Sequence, residues 1–319
     1  GSYSRRSTVF KKSKFLKSVT YILHSIMSTV DAPNPAIELV KRRFSRIITN
    51  ESRQKALNFV PRSTDVFVVT PMKTGTTWLQ QIMHQLRSGG DMTFADIEDV
   101  IPWIEIAFDL EQDLDAEHKY QPRCFKSHFL YEECPKGGKY ILVYREPCAT
   151  LYSLFNFFRL QPKDVTLDAF VKYHISSERN YFAHLLSWWP KRNDPNVLFL
   201  FYEDMLEDLE SAVRAVASLM NIDDEASITN AVKMSTFDFM KQNKDKFATS
   251  RASRYRKKDM GEEFVTDRVV TGSATKGREM MDECTKQALQ RKWNETITKE
   301  TGLQDYNEFK EALKKEKQL

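Results

Sequence analysis

The stretch "DVFVVTPMKTGTTWLQQIM", residues 65–83, runs from a branched apolar segment through a threonine-rich loop into a helical pattern. "DVFVVT" (65–70) predicts a buried strand, because a short β-branched run without polar alternation suits a strand covered on both faces. Trp78, Leu79, Ile82, Met83 and Leu86 then recur at helical spacing, and Gly89-Gly90 predicts the helix end. Lys73, Thr74, Gly75, Thr76 and Thr77 fill the junction. Such a junction gathers free backbone N–H groups and the positive end of the helix dipole at one point, which suits an anion. Gly75 permits close backbone approach, the threonines add hydroxyls, and Lys73 adds a full charge. A Walker A loop reads GxxxxGK[ST], with its lysine after the second glycine and a hydroxyl on Mg²⁺. Here the lysine precedes a single glycine, an order that suits one phosphate-like group without a metal.

Two further strand-to-helix units follow. "KYILVYREP" (139–147) predicts a strand over Ile141–Tyr144 and a turn at Pro147 before the apolar helix "ATLYSLFNFF". "NVLFLFYEDM" (196–205) predicts a strand over Val197–Phe201, then an acidic stretch and a helix with Val213, Val216, Ala217 and Met220 on one face. Buried strands alternating with helices predict an α/β fold: a single P-loop-like domain with a central parallel sheet flanked by helices. Ligands of such sheets lie beyond the C-terminal strand ends. There the loops 71–76, 145–153 and 202–204 converge.

Two candidate clusters belong to the same end. In "PRCFKSHFL" (122–130), an extended backbone puts Lys126 and His128 on one side, since residues two apart share a face. The adjacent lysine disfavours a second positive charge, so His128 is expected neutral near pH 7 and able to accept a proton as a general base. In "VYREPCATLYS", Arg145 stands at a strand end with Ser153 eight residues on, a fork and a hydroxyl for a second phosphate. His24, His84, His118, His174 and His184 lack a comparable setting and read as structural or surface residues.

The 319 residues, 41% hydrophobic, suffice for one large α/β domain. A net charge of +4 does not argue for nucleic acid, and a small-molecule partner fits it. Four cysteines without CxxC or zinc spacing predict free thiols in a reducing compartment. No apolar run reaches membrane-spanning length. The first 30 residues carry six Lys/Arg, seven Ser and no acid. They read as a basic arm or helix, as a transit-type segment, or as a helix lying on a membrane surface. Pro33 and Pro35 separate residues 1–35 from a main domain over 36–319. Within that domain the polar region 240–275 predicts a long surface loop or lid. A cytoplasmic location is expected, with organelle import as the alternative that the N-terminal segment raises.

Together these segments resemble the cytosolic, PAPS-dependent sulfotransferase family over roughly residues 60–290. "PMKTGTTW" is similar to that family's P-K-[ST]-G-T-T-W loop, with Met72 inserted. "FKSHF", "YREPCATLYS" and "LFYEDM" resemble its K-[ST]-H, 3′-phosphate and adenine-side segments. The resemblance implies PAPS as sulfuryl donor, PAP as product, a small hydroxyl or amine acceptor, in-line transfer and no metal. It implies that Lys73 meets the bridging oxygen, that Thr74, Gly75, Thr76 and Thr77 hold the 5′-phosphate, and that Trp78 stacks near the adenine. Lys126 is implied at the sulfuryl oxygens, His128 as the base, and Arg145 with Ser153 at the 3′-phosphate. Lys73, Lys126, His128 and Ser153 thus form the expected catalytic set, while Tyr202 and Ser235 line the nucleoside pocket.

One motif departs from the family pattern. Where R-K-G-x-x-G-D-W-K is usual, "VTGSATKGR" (270–278) retains Gly272 but carries Val270 and Thr271 for the basic pair. The cluster at 251–258, Arg268, Lys276 or Arg278 are the candidates to restore that charge. The family's C-terminal dimer motif is not matched by "REMMDECTKQ", so that dimer is not expected. Pro102, Trp103 and Glu105, with Phe155, Phe157 and Phe158, are expected to wall an apolar or flat acceptor site such as one for a phenol, sterol or alkaloid. Glu105 facing a cationic acceptor is the alternative there. The competing reading of the whole chain is a P-loop-like nucleotide-binding protein or kinase with a non-sulfated nucleotide.

Overall fold

The computed structural model describes residues 37–38, 41, 48–158, 165–248, 268–269 and 275–317. The N-terminal arm, most of the expected lid and Gly272 lie outside the described residues. In chain order the elements begin with α1 (Asn50–Leu57), β1 (Val66–Val69) and α2 (Thr76–Ser88). The short helices α3 (Ile97–Val100) and α4 (Ile104–Ala107) precede β2 (Cys124–Ser127), β3 (Lys139–Tyr144) and α5 (Pro147–Phe157). Then come α6 (Leu167–Ser176), α7 (Tyr181–Trp188), β4 (Val197–Phe201), α8 (Tyr202–Glu207), α9 (Leu209–Met220) and α10 (Glu225–Met234). The described chain closes with α11 (Phe237–Gln242), α12 (Lys276–Met280), α13 (Glu283–Trp293) and α14 (Tyr306–Lys317).

The four strands form one parallel sheet in the order β2-β1-β3-β4. Strand alternation divides the core in two. Phe67 and Val69 point to one face with Phe125, Tyr140, Leu142 and Tyr144, packed against α5, α7 and α13. Val66 and Val68 point to the other with Cys124, Ile141 and Val143, under Leu79, Ile82 and Met83 of α2 and Val213 and Val216 of α9. The first face carries an aromatic ladder across three strands, since Phe67 stacks on Phe125 at 5.2 Å and on Tyr140 at 5.6 Å. Burial of one such ring contributes about 2–3 kcal/mol. At the N-terminal strand ends, Arg123 makes two hydrogen bonds to the buried Asp65 carboxylate, at 2.9 and 2.6 Å. That ion pair ties the start of β1 to the start of β2.

Three local readings change. Pro147 does not make a turn; it is the first residue of α5, where its missing N–H costs no helical bond, and Glu146 caps that helix through Ala149 N–H at 2.7 Å. The strand β3 starts two residues earlier than its apolar core, at Lys139, because its backbone pairs with β1 from there. Residues 240–248 are not loop: α11 and a 3-10 turn carry Met240 and Phe247, both buried beside Phe94 and Ile97. Two well-spaced apolar residues in a polar context anchor that segment.

Candidate active site

The C-terminal strand ends place Thr70, His128, Arg145 and Tyr202 at the mouth of the sheet, facing the N-terminus of α2. Lys73 sits in the loop between with φ 70°, a left-handed conformation unusual outside glycine. Gly75 follows at φ 125° and ends the turn as N-cap of α2; a Cβ there would stand 3.2 Å from the Tyr202 ring. No acidic side chain occupies the first turn of α2, so its unpartnered N–H groups face a space free of competing carboxylates from that turn. Two expected hydroxyl donors turn inward instead. Thr74 Oγ1 donates to Pro71 O at 2.9 Å, and Thr76 Oγ1 pairs with Thr70 Oγ1 at 2.6 Å. Both hydroxyls shape the loop, leaving backbone N–H groups and the half-buried Thr77 as donors to a ligand.

Beside the loop, Trp78 meets Tyr202 edge-on at 5.5 Å and donates through Nε1 to Ser235 O at 2.7 Å. Arg145 lies over the Tyr202 ring at 4.4 Å and donates to Lys73 O at 3.4 Å. These contacts join Lys73, Gly75, Trp78, Arg145, Tyr202 and Ser235 into one wall. Ser235 Oγ is fully buried there without a hydrogen-bond partner. Ser153 is half-buried on α5, one turn beyond Ala149 and on the same helical face.

The second cluster gathers around Trp103. Lys126 Nζ stands 4.1 Å from the Trp103 ring, and the His128 imidazole meets the same ring edge-on at 5.2 Å. His128 Nδ1 lies 2.7 Å from Thr70 O, so the ring donates through Nδ1 and carries its lone pair on Nε2. Its backbone N–H donates to Glu105 Oε1 at 2.6 Å. Burial first, then Lys126, pull the imidazole pKa down to about 3. Burial, with Arg268, Arg145 and Lys126, lowers that of Lys73 to about 7. Lys73 Nζ lies 4.6 Å from the Phe157 ring.

Some expected pocket residues are elsewhere. Glu105 is buried beneath His128 and its pKa is raised by burial, so it does not present a carboxylate to an acceptor. Phe155 and Phe158 belong to the core, because their side of α5 packs on Phe170; Phe157 alone of the three is half-exposed. Pro102 is buried and accepts from Lys126 N–H at 2.8 Å.

Glu98, Glu203 and Gly277 escaped sequence reasoning. Glu98, on α3, bonds Lys126 Nζ at 2.7 Å and Arg268 Nη2 at 2.8 Å. Glu203 accepts from Glu146 N–H at 3.0 Å and from Tyr306 OH at 2.7 Å, fixing the loop that carries Arg145. A Cβ on Gly277 would fall 2.4 Å from Ala149 Cα and 2.5 Å from Cys148 O, so α12 packs directly on the first turn of α5. Glycine in "TKGR" was the one available signal, and its meaning depends on what the helix touches.

Comparison with known proteins places the chain in a family. The sulfotransferase domain model matches residues 63–301. The chain belongs to the sulfotransferase family. It is a PAPS-dependent sulfotransferase, as the ordered segments implied. Among curated relatives, the enzyme is 33% identical over 203 residues to the amine sulfotransferase of Oryctolagus cuniculus, covering 59% of this chain and 66% of that one. It is 30% identical over 215 residues to the 3-alpha-hydroxysteroid sulfotransferase of Cavia porcellus, covering 63% and 73%. Its fold matches mouse sulfotransferase SULT7A1 complexed with PAP, with TM-score 0.60, 21% identity and coverage of 79% and 91%. Retinol dehydratase in complex with androsterone and PAP matches with TM-score 0.63, 21% identity and coverage of 81% and 87%. The wall described above fits such a nucleotide: a buried orphan hydroxyl at Ser235, a glycine cradle at Gly75, and convergent cations. Among the described residues no His/Cys/Asp/Glu group could hold a metal ion, and no helix is long and apolar enough to cross a membrane.

Proposed function

We propose that this enzyme moves a sulfuryl group from PAPS to a hydroxyl or amine of a small molecule, with His128 as the general base. The observation that carries the reading is the imidazole held through Nδ1 by Thr70 O, which leaves the Nε2 lone pair free in a cluster that also holds Lys126 against the same Trp103 ring. PAPS supplies an activated sulfuryl group on a good phosphate leaving group. Lys73 and the backbone N–H groups of Thr74 to Trp78 hold the 5′-phosphate and oppose the charge that grows on it as the bridging bond breaks. Lys126 steadies the sulfuryl oxygens, and His128 Nε2 takes the acceptor proton. A low pKa in the free enzyme keeps the base neutral; the bound donor's negative charge then makes imidazolium more favourable.

Arg145 and Ser153 hold the 3′-phosphate. The packing of Gly277 on α5 supports Lys276–Arg278 as the basic segment that closes this end, with Arg278 already 3.5 Å from Glu146. Of the candidates for the missing basic pair, Lys276 and Arg278 fit this reading; Gly272 lies outside the described residues. Tyr202 and Ser235 line the nucleoside side, and Trp78 flanks the adenine. Trp103 and Phe157 offer aromatic walls to the acceptor, while Glu105 is engaged by His128 N–H. This favours a neutral, flat or apolar hydroxylated acceptor over a cationic one. The test is a PAPS-dependent screen of phenols, sterols and amines, read by the mass gain of one sulfuryl group. A phenol or sterol product is expected; absence of product from every class removes the proposed activity.

A further inference from the structure

The Glu98 carboxylate lies in the middle of the site, yet neither the loop, the base nor the 3′-phosphate clamp uses it. Its side chain is 1% exposed, and one oxygen, Oε1, receives both Lys126 Nζ at 2.7 Å and Arg268 Nη2 at 2.8 Å. Those partners are themselves 6% and 8% exposed. Burial alone would raise the carboxyl pKa, but the Arg268 and Lys126 charges hold it down to about 2. One carboxylate therefore serves two buried cations, and the trio keeps a net positive charge. Arg268 Nη1 is buried with no hydrogen-bond partner. A buried guanidinium N–H left without a partner is costly, so a ligand oxygen placed there gains a charge-assisted hydrogen bond. Arg268 also perturbs Lys73 and His128, the two residues that bracket the reacting group.

Arg268 was a candidate for the far end of the nucleotide, as a replacement for the missing basic pair. Its bond to Glu98, which also bonds Lys126, groups it with the Lys126 cluster instead. We infer that Arg268 is a third sulfuryl-binding cation, donating from Nη1 to a sulfuryl oxygen alongside Lys126, with Glu98 as the positioning residue that aims both. The inference rests on the PAPS reading above. It predicts a distinction between donor and product, since PAPS carries the sulfuryl group and PAP does not.

The test is equilibrium binding of PAPS and of PAP, without acceptor, to the wild type and to Arg268→Ala and Arg268→Lys. Arg268→Ala is expected to weaken PAPS at least about tenfold, the scale of one charge-assisted hydrogen bond, and PAP less than twofold. Arg268→Lys is expected to restore part of the PAPS affinity and to decide the matter if the alanine variant does not fold. Equal losses for both ligands would return Arg268 to the 3′-phosphate, and no loss for either would remove it from the site; each overturns the inference. A wild type that binds neither ligand would instead defeat the PAPS reading itself.

Discussion

His128 and Lys73 show how one pocket sets two protonation states. Both lose their charge preference to burial and to neighbouring cations, which pull His128 to about 3 and Lys73 to about 7. The low imidazole pKa keeps Nε2 free to accept a proton throughout the neutral range. For Lys73 the sign of the pH effect follows from its depressed value. Above pH 7 a growing share of the free enzyme holds a neutral amine at Lys73, and an incoming phosphate favours the ammonium. PAP binding at pH 8 should therefore take up nearly one proton, seen as a buffer-dependent calorimetric enthalpy, and affinity should fall as pH rises from 7 to 9. Zero uptake would show that Lys73 does not meet the nucleotide. The side chains of this cluster were legible from the sequence because each follows a buried strand. Glu98 was not, since one acid in "ADIEDV" has no local mark separating it from the two aspartates beside it.

At the level of elements, α12 against α5 is the contact that the sequence did not mark. The family motif drew attention to Gly272, which lies outside the described residues, while Gly277 is a residue whose missing Cβ the packing requires. A glycine's role depends on what approaches it, and that comes from tertiary contact. Overpacking of this kind costs about 1–3 kcal/mol. Gly277→Ala should lower PAP affinity about tenfold as α12 is displaced from the Arg145–Ser153 face. Unchanged affinity together with unchanged melting would show that α12 takes no part in closing that end. The strands, by contrast, were readable nearly to the residue. The run "VFVV" is buried on both faces, "VLFLF" is buried on one and half-buried on the other, and both are bounded by polar loops. Residues 240–248 hid their helix behind charge, with two anchors too few to set a period.

For the whole molecule, the sheet separates stability from chemistry along its strands. The Asp65–Arg123 pair lies at the N-terminal ends, away from the phosphate loop, and is closed off from water. Removing one partner leaves the other as a buried uncompensated charge, at a cost of about 3–5 kcal/mol. Arg123→Ala should lose that much in urea unfolding while the folded fraction binds PAP normally; a loss confined to binding would contradict the division. The C-terminal ends carry the opposite bias, with cations gathered at a pocket that an anion completes. His128 carries the proposed proton transfer. The most direct measurement is single-turnover transfer from PAPS by His128→Ala, with PAP affinity determined on the same preparation. The rate should fall by at least about a hundredfold, the usual contribution of a general base, with PAP affinity within twofold of wild type. Wild-type turnover in that variant would contradict the assignment.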